Sequence, residues 1–97
     1  MARDILIVDD EADIRELIAG ILSDEGYETR RAGTDKQALA AVASRRPSLV
    51  ILDIWLRGSK LDGIEILQQM RAQHGDLPVV MISGHGNMET AVHAIKL

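Results

Sequence analysis

The sequence predicts an α/β fold in which helices cover both faces of a doubly wound parallel sheet. Two observations predict it. Short apolar runs alternate along the chain with segments of helical spacing, and no linker, repeat or low-complexity tract interrupts them. Parallel strands joined by helices require right-handed crossovers. We therefore expect residues 1–97 to form one domain with a single parallel sheet.

The first half of the chain contains two strand-helix pairs. Residues 5–8 are an apolar run typical of a strand buried on both faces, and Gly26 ends the helix that follows. Residues 27–32 are polar and rich in arginine, so we place this strand at a sheet edge. Thr34 and Gln37 form a capping-box pattern that starts the second helix, which ends before Pro47. The predicted inward positions are Ile14, Leu17, Ile18, Ile21 and Leu22 in the first helix and Leu39, Val42 and Ala43 in the second.

The second half repeats the pattern. Residues 49–52 and 79–82 are apolar runs that predict two more buried strands. Between them a helix from about Asp62 has an apolar face. A fourth helix is expected near the end of the chain, with Asn87 as its N-cap. The apolar positions are Ile66, Leu67 and Met70 in the third helix and Met88, Ala91, Val92 and Ile95 in the fourth.

Composition excludes several classes of protein and of site. The chain has no cysteine, and its histidines (His74, His85 and His93) form no pair at a zinc-like spacing. No apolar run is long enough to cross a bilayer, and the N-terminus does not resemble a signal peptide. A net charge of −4 argues against direct contact with nucleic acid. We therefore expect a cytoplasmic protein that contacts neither membranes nor nucleic acid.

Four polar residues follow the predicted strands at one edge of the sheet: Asp9 and Asp10 after the first, Asp53 at the end of the third and Ser83 after the fourth. In open α/β sheets this carboxyl edge is where ligands bind. Simpler explanations exist for two of them, because Asp10 could be the N-cap of the first helix and Ser83 a turn residue. Asp53 lies in apolar sequence, where a carboxylate without compensation is costly.

Three carboxylates at one edge would repel one another unless a cation joined them. Two unit charges about 4 Å apart interact by roughly 4 kcal/mol at an effective dielectric constant near 20. Oxygen ligands that are open to water suit Mg²⁺ better than a soft metal. Asp9, Asp10 and Asp53 are therefore candidate Mg²⁺ ligands.

An acid pair after strand one, a lone aspartate ending strand three and a serine after strand four resemble the receiver domain of response regulators. The resemblance implies the flavodoxin-like receiver topology, with strands in the order 2-1-3-4. It implies that Asp53 accepts a phosphoryl group from a sensor histidine kinase. It also implies that Asp9, Asp10, Asp53 and the backbone carbonyl of Trp55 hold Mg²⁺, and that the Ser83 hydroxyl contacts the phosphoryl group. Such a domain is a signalling phosphoacceptor and not an enzyme, beyond catalysing its own phosphoryl transfer.

A narrower resemblance concerns residues 82–92, which read Ile-Ser-Gly-His-Gly-Asn-Met-Glu-Thr-Ala-Val. This stretch is similar to regulators of the nitrogen-regulation NtrC/NtrX group, and the long loop after Asp53 favours the NtrX kind. The resemblance implies an output in transcription regulation. Because two glycines make residues 84–87 easy to rearrange, we expect phosphorylation to reshape this loop through Ser83.

The sequence departs from the family pattern at two places. Arg57 stands where the family usually has a proline, and the loop to Asp62 is longer than usual. The family's fifth strand and phosphoryl-binding lysine have no counterpart, since Lys96 lies in helical sequence. We therefore expect a C-terminally incomplete domain whose fourth strand has an unpaired edge, and which forms homodimers or domain-swapped assemblies through that edge.

Three other functions fit parts of the pattern. An inactive receiver-like interaction module is favoured by the absent lysine, and retained metal binding would count against it. Some Mg²⁺-dependent phosphohydrolases also use an aspartyl nucleophile, but 97 residues leave little space for a substrate pocket. A flavodoxin-like redox protein would need backbone donors for its cofactor phosphate where this chain has acids.

Overall fold

The computed structural model describes residues 3–53, 63–83 and 91–95, with Ser83 and residues 91–95 described in backbone only. The strands are β1 (Asp4–Val8), β2 (Glu28–Ala32), β3 (Leu49–Asp53), β4 (Val79–Ser83) and β5 (Ala91–Ile95), and the helices are α1 (Ala12–Asp24), α2 (Asp35–Ser44) and α3 (Gly63–Gln73). They build one sheet with the order β2-β1-β3-β4-β5. The first four strands are mutually parallel, and β5 runs antiparallel to β4.

The order 2-1-3-4 confirms the predicted topology. The apolar sequence of β1 and the polar sequence of β2 explain the positions of these two strands. All residues of β1 are buried, as a central strand with helices on both faces requires. The outermost position of β2 leaves part of its Glu-Thr-Arg-Arg-Ala sequence exposed, with Ala32 alone buried.

Side chains alternate between two apolar clusters, one on each face of the sheet. The larger cluster packs α2 and α3 against residues such as Leu6, Leu52 and Met81. The smaller cluster lies under α1 and includes Ile5, Ile7 and Ala19. Successive strand residues point to opposite faces, so Val8 and Leu52 belong to the larger cluster while Ile7 and Ile51 pack in the smaller one.

The inward face of α1 is narrower than predicted. Ile18 and Leu22 pack against the core around buried Ala19. Leu17 and Ile21 are 60% and 56% exposed, so the expectation that they face inward is wrong. Periodicity reveals an apolar stripe, but its full width is buried only where the sheet beneath reaches that far.

The starts and inward faces of α2 and α3 agree better with the sequence. Thr34 is the N-cap of α2, and its side chain accepts a hydrogen bond from the Gln37 N–H. The Gln37 Oε1 in turn accepts one from the Gly33 N–H at 2.7 Å. In α2 Val42 is buried but Ala43 is exposed. All three predicted core residues of α3, Ile66, Leu67 and Met70, are buried.

The predicted fourth helix is contradicted, because Ala91–Ile95 forms β5. The strand pairs with β4 in the register Val79↔Ile95 to Ser83↔Ala91, so the expectation that β4 has an unpaired edge is also wrong. In so short an apolar segment, spacing alone does not distinguish a helix from a strand. Here the unpaired N–H and C=O groups that β4 would otherwise present decide the outcome.

Some predictions lie outside the described residues. These are the loop after Asp53 with Trp55 and Arg57, the loop at residues 84–87, the N-cap Asn87, and Lys96. Among the described helices, none has the length and apolar character that a bilayer crossing requires.

Candidate metal centre

The acid pair and Asp53 converge at the carboxyl edge of the sheet. Strands β1 and β3 are hydrogen-bonded neighbours with Val8 opposite Leu52, so the residues that follow these two positions emerge side by side. Asp9 is 4% exposed, Asp53 is 1% exposed and Asp10 is half-buried. One carboxylate oxygen from each of the three lies within 4.8 Å of the others.

Backbone hydrogen bonds fix the turn that carries the acid pair. The Asp9 N–H donates to the Ala32 carbonyl at 3.1 Å, which extends the pairing of β1 with β2 by one residue. The Glu11 N–H donates to the Asp9 Oδ1 at 2.8 Å. Glu11 itself is the N-cap of α1 and makes no side-chain cap hydrogen bond. Asp10 is therefore not the N-cap, and the simpler explanation of that residue is wrong.

Arg15 is a member of this site that the sequence analysis missed. It lies in the first turns of α1, and its Nη1 donates to the Asp9 carbonyl oxygen at 2.6 Å. The guanidinium lies against Gly33, where an added Cβ would be 2.9 Å from Nη1. A side chain that binds a backbone carbonyl leaves no periodic signal, and the one available hint was a cation close to an acid pair in sequence.

The donor set fits a hard divalent cation. Three carboxylates that are close and largely buried favour a cation that joins them, since each would otherwise raise the electrostatic energy of its neighbours. Carboxylate oxygens suit Mg²⁺, which is bound through few protein ligands and retains several waters. Within residues 3–53 and 63–83, this trio is the one group of three or more acidic or histidine side chains close enough to share a metal ion.

Ser83 reaches the same edge by backbone position. Asp53 pairs with Ile82 in the register of β3 and β4, so Ser83 lies one residue beyond the position opposite Asp53. Its backbone also pairs with Ala91 of β5. Trp55, the fourth predicted ligand, lies outside the described residues. The structure therefore brings together Asp9, Asp10 and Asp53, and it places the backbone of Ser83 at the end of the neighbouring strand.

Comparison with known protein families identifies the family and its fold. The model of the response regulator receiver domain matches residues 5–97. The chain belongs to the response regulator receiver domain family. Members of this family are signalling proteins of two-component systems, in which the receiver domain is the phosphoacceptor.

The relatives of this receiver domain include NtrX proteins. It is 64% identical over 96 residues to the nitrogen assimilation regulatory protein NtrX of Azorhizobium caulinodans, covering 99% of this chain and 21% of that protein. The crystal structure of the receiver domain of NtrX from Brucella abortus matches with a TM-score of 0.82 and 65% identity, over 88% of this chain and 71% of that one. The response regulator TrrA from Thermotoga maritima, solved in complex with Mg²⁺ and BeF, matches with a TM-score of 0.79 and 36% identity, over 87% of this chain and 71% of that one. The chain thus spans about a fifth of the curated relative's length.

Proposed function

We propose that Asp53 is the phosphoacceptor and that a sensor histidine kinase is the donor. The observation that carries this assignment is the convergence of the 1% exposed Asp53 with Asp9 and Asp10, whose oxygens lie within 4.8 Å of one another. A carboxylate oxygen of Asp53 forms the new O–P bond as the N–P bond of the donor phosphohistidine breaks, and the bonding electrons stay with the imidazole nitrogen. The product is an aspartyl phosphate.

The acid pair serves this reaction as a metal site. Asp9, Asp10, Asp53 and the Trp55 carbonyl are the proposed ligands of Mg²⁺, which when bound neutralises the charge of the phosphoryl oxygens. Burial of Asp9 and the hydrogen bond from the Glu11 N–H hold one ligand in place before the metal arrives. TrrA, a neighbour of this chain at 36% identity, was solved in complex with Mg²⁺ and BeF, which supports the proposal that this receiver domain also binds Mg²⁺.

Ser83 is the proposed switch residue. Its backbone lies at the end of β4, one residue beyond the position opposite Asp53, and a serine hydroxyl is a donor that a phosphoryl oxygen can accept from. Ser83 also pairs with Ala91 of β5. A shift of Ser83 would therefore displace β5 and change the conformation of the segment between the two strands. Amide exchange in residues 83–97 should therefore change when a phosphate analogue binds.

We propose further that this receiver is the input domain of a longer cytoplasmic regulator of transcription in nitrogen metabolism, as its likeness to NtrX suggests. In that role it has no enzymatic activity beyond its own phosphoryl transfer, and it contacts neither DNA nor membranes directly. Self-association as a homodimer or a domain-swapped assembly is part of the proposal. The edge of β4 through which it was expected is covered by β5, so its support is that β2 and β5, as the outermost strands of the described sheet, offer edges for pairing.

Phosphorylation by a small acyl phosphate in the presence of Mg²⁺, followed by intact mass spectrometry, tests the assignment of Asp53. The unsubstituted chain should gain one phosphoryl group, and Asp53→Asn should gain none. Asp13→Asn is the matched control, because Asp13 is an exposed acid in the first turn of α1 outside the trio. Equal modification of the Asp53→Asn and unsubstituted chains would exclude Asp53 as the acceptor. Sensitivity to EDTA, with the fold intact, would support the metal requirement.

A further inference from the structure

Asp9 is held by hydrogen bonds that include one from a side chain of α1. Its N–H donates to Ala32, its Oδ1 accepts from the Glu11 N–H, and its carbonyl oxygen accepts from Arg15 Nη1 at 2.6 Å. The first two bonds belong to the strand and to the turn. The third depends on the Arg15 side chain alone and is shorter than the mode for N–H···O bonds.

The carbonyl that Arg15 holds belongs to the peptide unit that leads into Asp10. A peptide unit is planar, so the Asp9 oxygen and the Asp10 N–H cannot move independently. A hydrogen bond that fixes the Asp9 carbonyl oxygen therefore also fixes the orientation of the peptide plane that contains the Asp10 N–H. Asp10 is the half-buried member of the trio and has less packing to orient it than Asp9 or Asp53.

Gly33 leaves the space that this guanidinium fills. A Cβ at Gly33 would lie 2.9 Å from Arg15 Nη1 and 3.4 Å from its Cζ, so the guanidinium would have to move. The same Cβ would lie 3.6 Å from Gln37 Oε1, an ordinary contact that leaves the cap of α2 undisturbed. Among the described residues Gly26 is the one glycine with positive φ, so alanine at position 33 carries no backbone strain of that kind.

We propose that Arg15 is a positioning residue for the Mg²⁺ site, that it orients the acid pair through the Asp9 carbonyl, and that Gly33 is small so that it can do so. This inference rests on the proposed metal site and names the residue that shapes it. Outer groups that orient metal ligands typically change metal affinity by about tenfold or more when removed.

The direction in which Mg²⁺ affinity changes when Arg15 is removed distinguishes a positioning role from a purely electrostatic one. Arg15 is a cation close to a cation site, so if it acted only by its charge, its removal would tighten Mg²⁺ binding. If it acts by positioning, its removal weakens binding. A merely structural role in α1 would lower the free energy of unfolding and leave the Mg²⁺ affinity of the folded protein unchanged.

The experiment is a Mg²⁺ titration of the whole chain followed by fluorescence of Trp55, the sole tryptophan, with urea unfolding of each variant in metal-free buffer. Arg15→Met should weaken Mg²⁺ binding by about tenfold. Gly33→Ala, which keeps the charge but displaces the guanidinium, should weaken it in the same direction. In the Arg15→Met background Gly33→Ala should have no further effect, because the group it displaces is gone.

Arg31→Met is the matched control, since the exposed Arg31 pairs with Glu16 of α1 and should leave Mg²⁺ affinity unchanged. Unchanged or tighter binding by Arg15→Met, with normal binding by the unsubstituted chain, overturns the role of Arg15 and leaves the metal site standing. Additive effects of the two substitutions overturn the role of Gly33. If the unsubstituted, folded chain shows no saturable Mg²⁺ response, both this inference and the proposed metal site are wrong.

Discussion

Arg30 binds Asp4 through two parallel hydrogen bonds, from Nε to Oδ1 at 3.0 Å and from Nη2 to Oδ2 at 2.6 Å. Asp4 begins β1 and is 8% exposed, so its carboxylate is compensated within the protein. Arg30 also donates to the carbonyls of Ala41 and Arg45 at the end of α2, at 2.7 and 2.8 Å. At the amino edge of the sheet, Arg30 thus connects β1, β2 and the end of α2. At the opposite edge, three carboxylates lie close together.

Replacing Arg30 with methionine should lower the free energy of unfolding by about 2–3 kcal/mol. The substitution leaves the Asp4 carboxylate with the weaker donor Arg45, at 3.2 Å, and removes one side-chain donor each from the Ala41 and Arg45 carbonyls. The Ala41 carbonyl keeps its hydrogen bond from the Arg45 N–H. Loss of a hydrogen bond to a charged group costs roughly 1.5–3 kcal/mol. Urea unfolding measures the change. Arg31→Met, which removes an exposed ion pair with Glu16, should cost less than about 1 kcal/mol. Equal losses of unfolding free energy in the two variants would mean that the Arg30–Asp4 pair contributes no more to stability than an exposed ion pair.

Two isoleucines with opposite exposure test the correction to α1. Ile66 is fully buried and Ile21 is 56% exposed. Ile66→Ala should therefore lower the free energy of unfolding by about 2–5 kcal/mol through lost burial and a new cavity. Ile21→Ala should change it by no more than about 0.5 kcal/mol. A loss above about 2 kcal/mol for Ile21→Ala would mean that α1 buries the wider face that its sequence suggested.

Removing one carboxylate from the trio should change stability in opposite directions with and without metal. In metal-free buffer Asp10→Asn should raise the free energy of unfolding by about 1 kcal/mol, because repulsion among Asp9, Asp10 and Asp53 is reduced. Addition of Mg²⁺ should stabilise the unsubstituted chain, by roughly 1.4 kcal/mol at ten times its dissociation constant, and should stabilise Asp10→Asn far less. Thermal unfolding at matched ionic strength measures both changes.

The control for this reversal is Asp13→Asn. Asp13 lies in the first turn of α1, where the interaction of a carboxylate with the helix dipole stabilises the folded protein by about 0.3–1 kcal/mol. Its replacement should therefore destabilise the chain slightly and leave the Mg²⁺ effect intact. If Asp10→Asn and Asp13→Asn behave alike, the three carboxylates do not act as one site.

The sequence was sufficient for the four parallel strands and for the convergence of the acidic trio. Buried parallel strands are continuous apolar runs, and their carboxyl ends must meet at one edge, so Asp9 and Asp53 could be brought together without coordinates. The burial of Ile66, Leu67 and Met70 followed from helical spacing in the same way.

What the sequence could not predict depends on contacts between elements. The hydrogen bond from Arg15 to the Asp9 carbonyl needs a backbone acceptor, and every residue offers one, so the pattern cannot select it. The exposure of Leu17 depends on how far the sheet extends beneath α1. The strand conformation of residues 91–95 depends on the open edge of β4, which no local propensity records.

The pairing of β5 with β4 leads to a prediction that NMR spectroscopy can check directly. Residues 91–95 should show Cα chemical shifts of a strand, and Met81 should give cross-strand contacts to His93, its partner in the antiparallel register. Helix α3 provides the internal reference, since its residues 63–73 should show helical shifts in the same spectra. Helical shifts at residues 91–95 without contacts to β4 would contradict the pairing and restore the fourth helix that the spacing of Ala91, Val92 and Ile95 suggested. Strand shifts would mean that the edge of β4 outweighs helical periodicity in a segment this short, because pairing satisfies backbone groups that a helix at the same place would leave open.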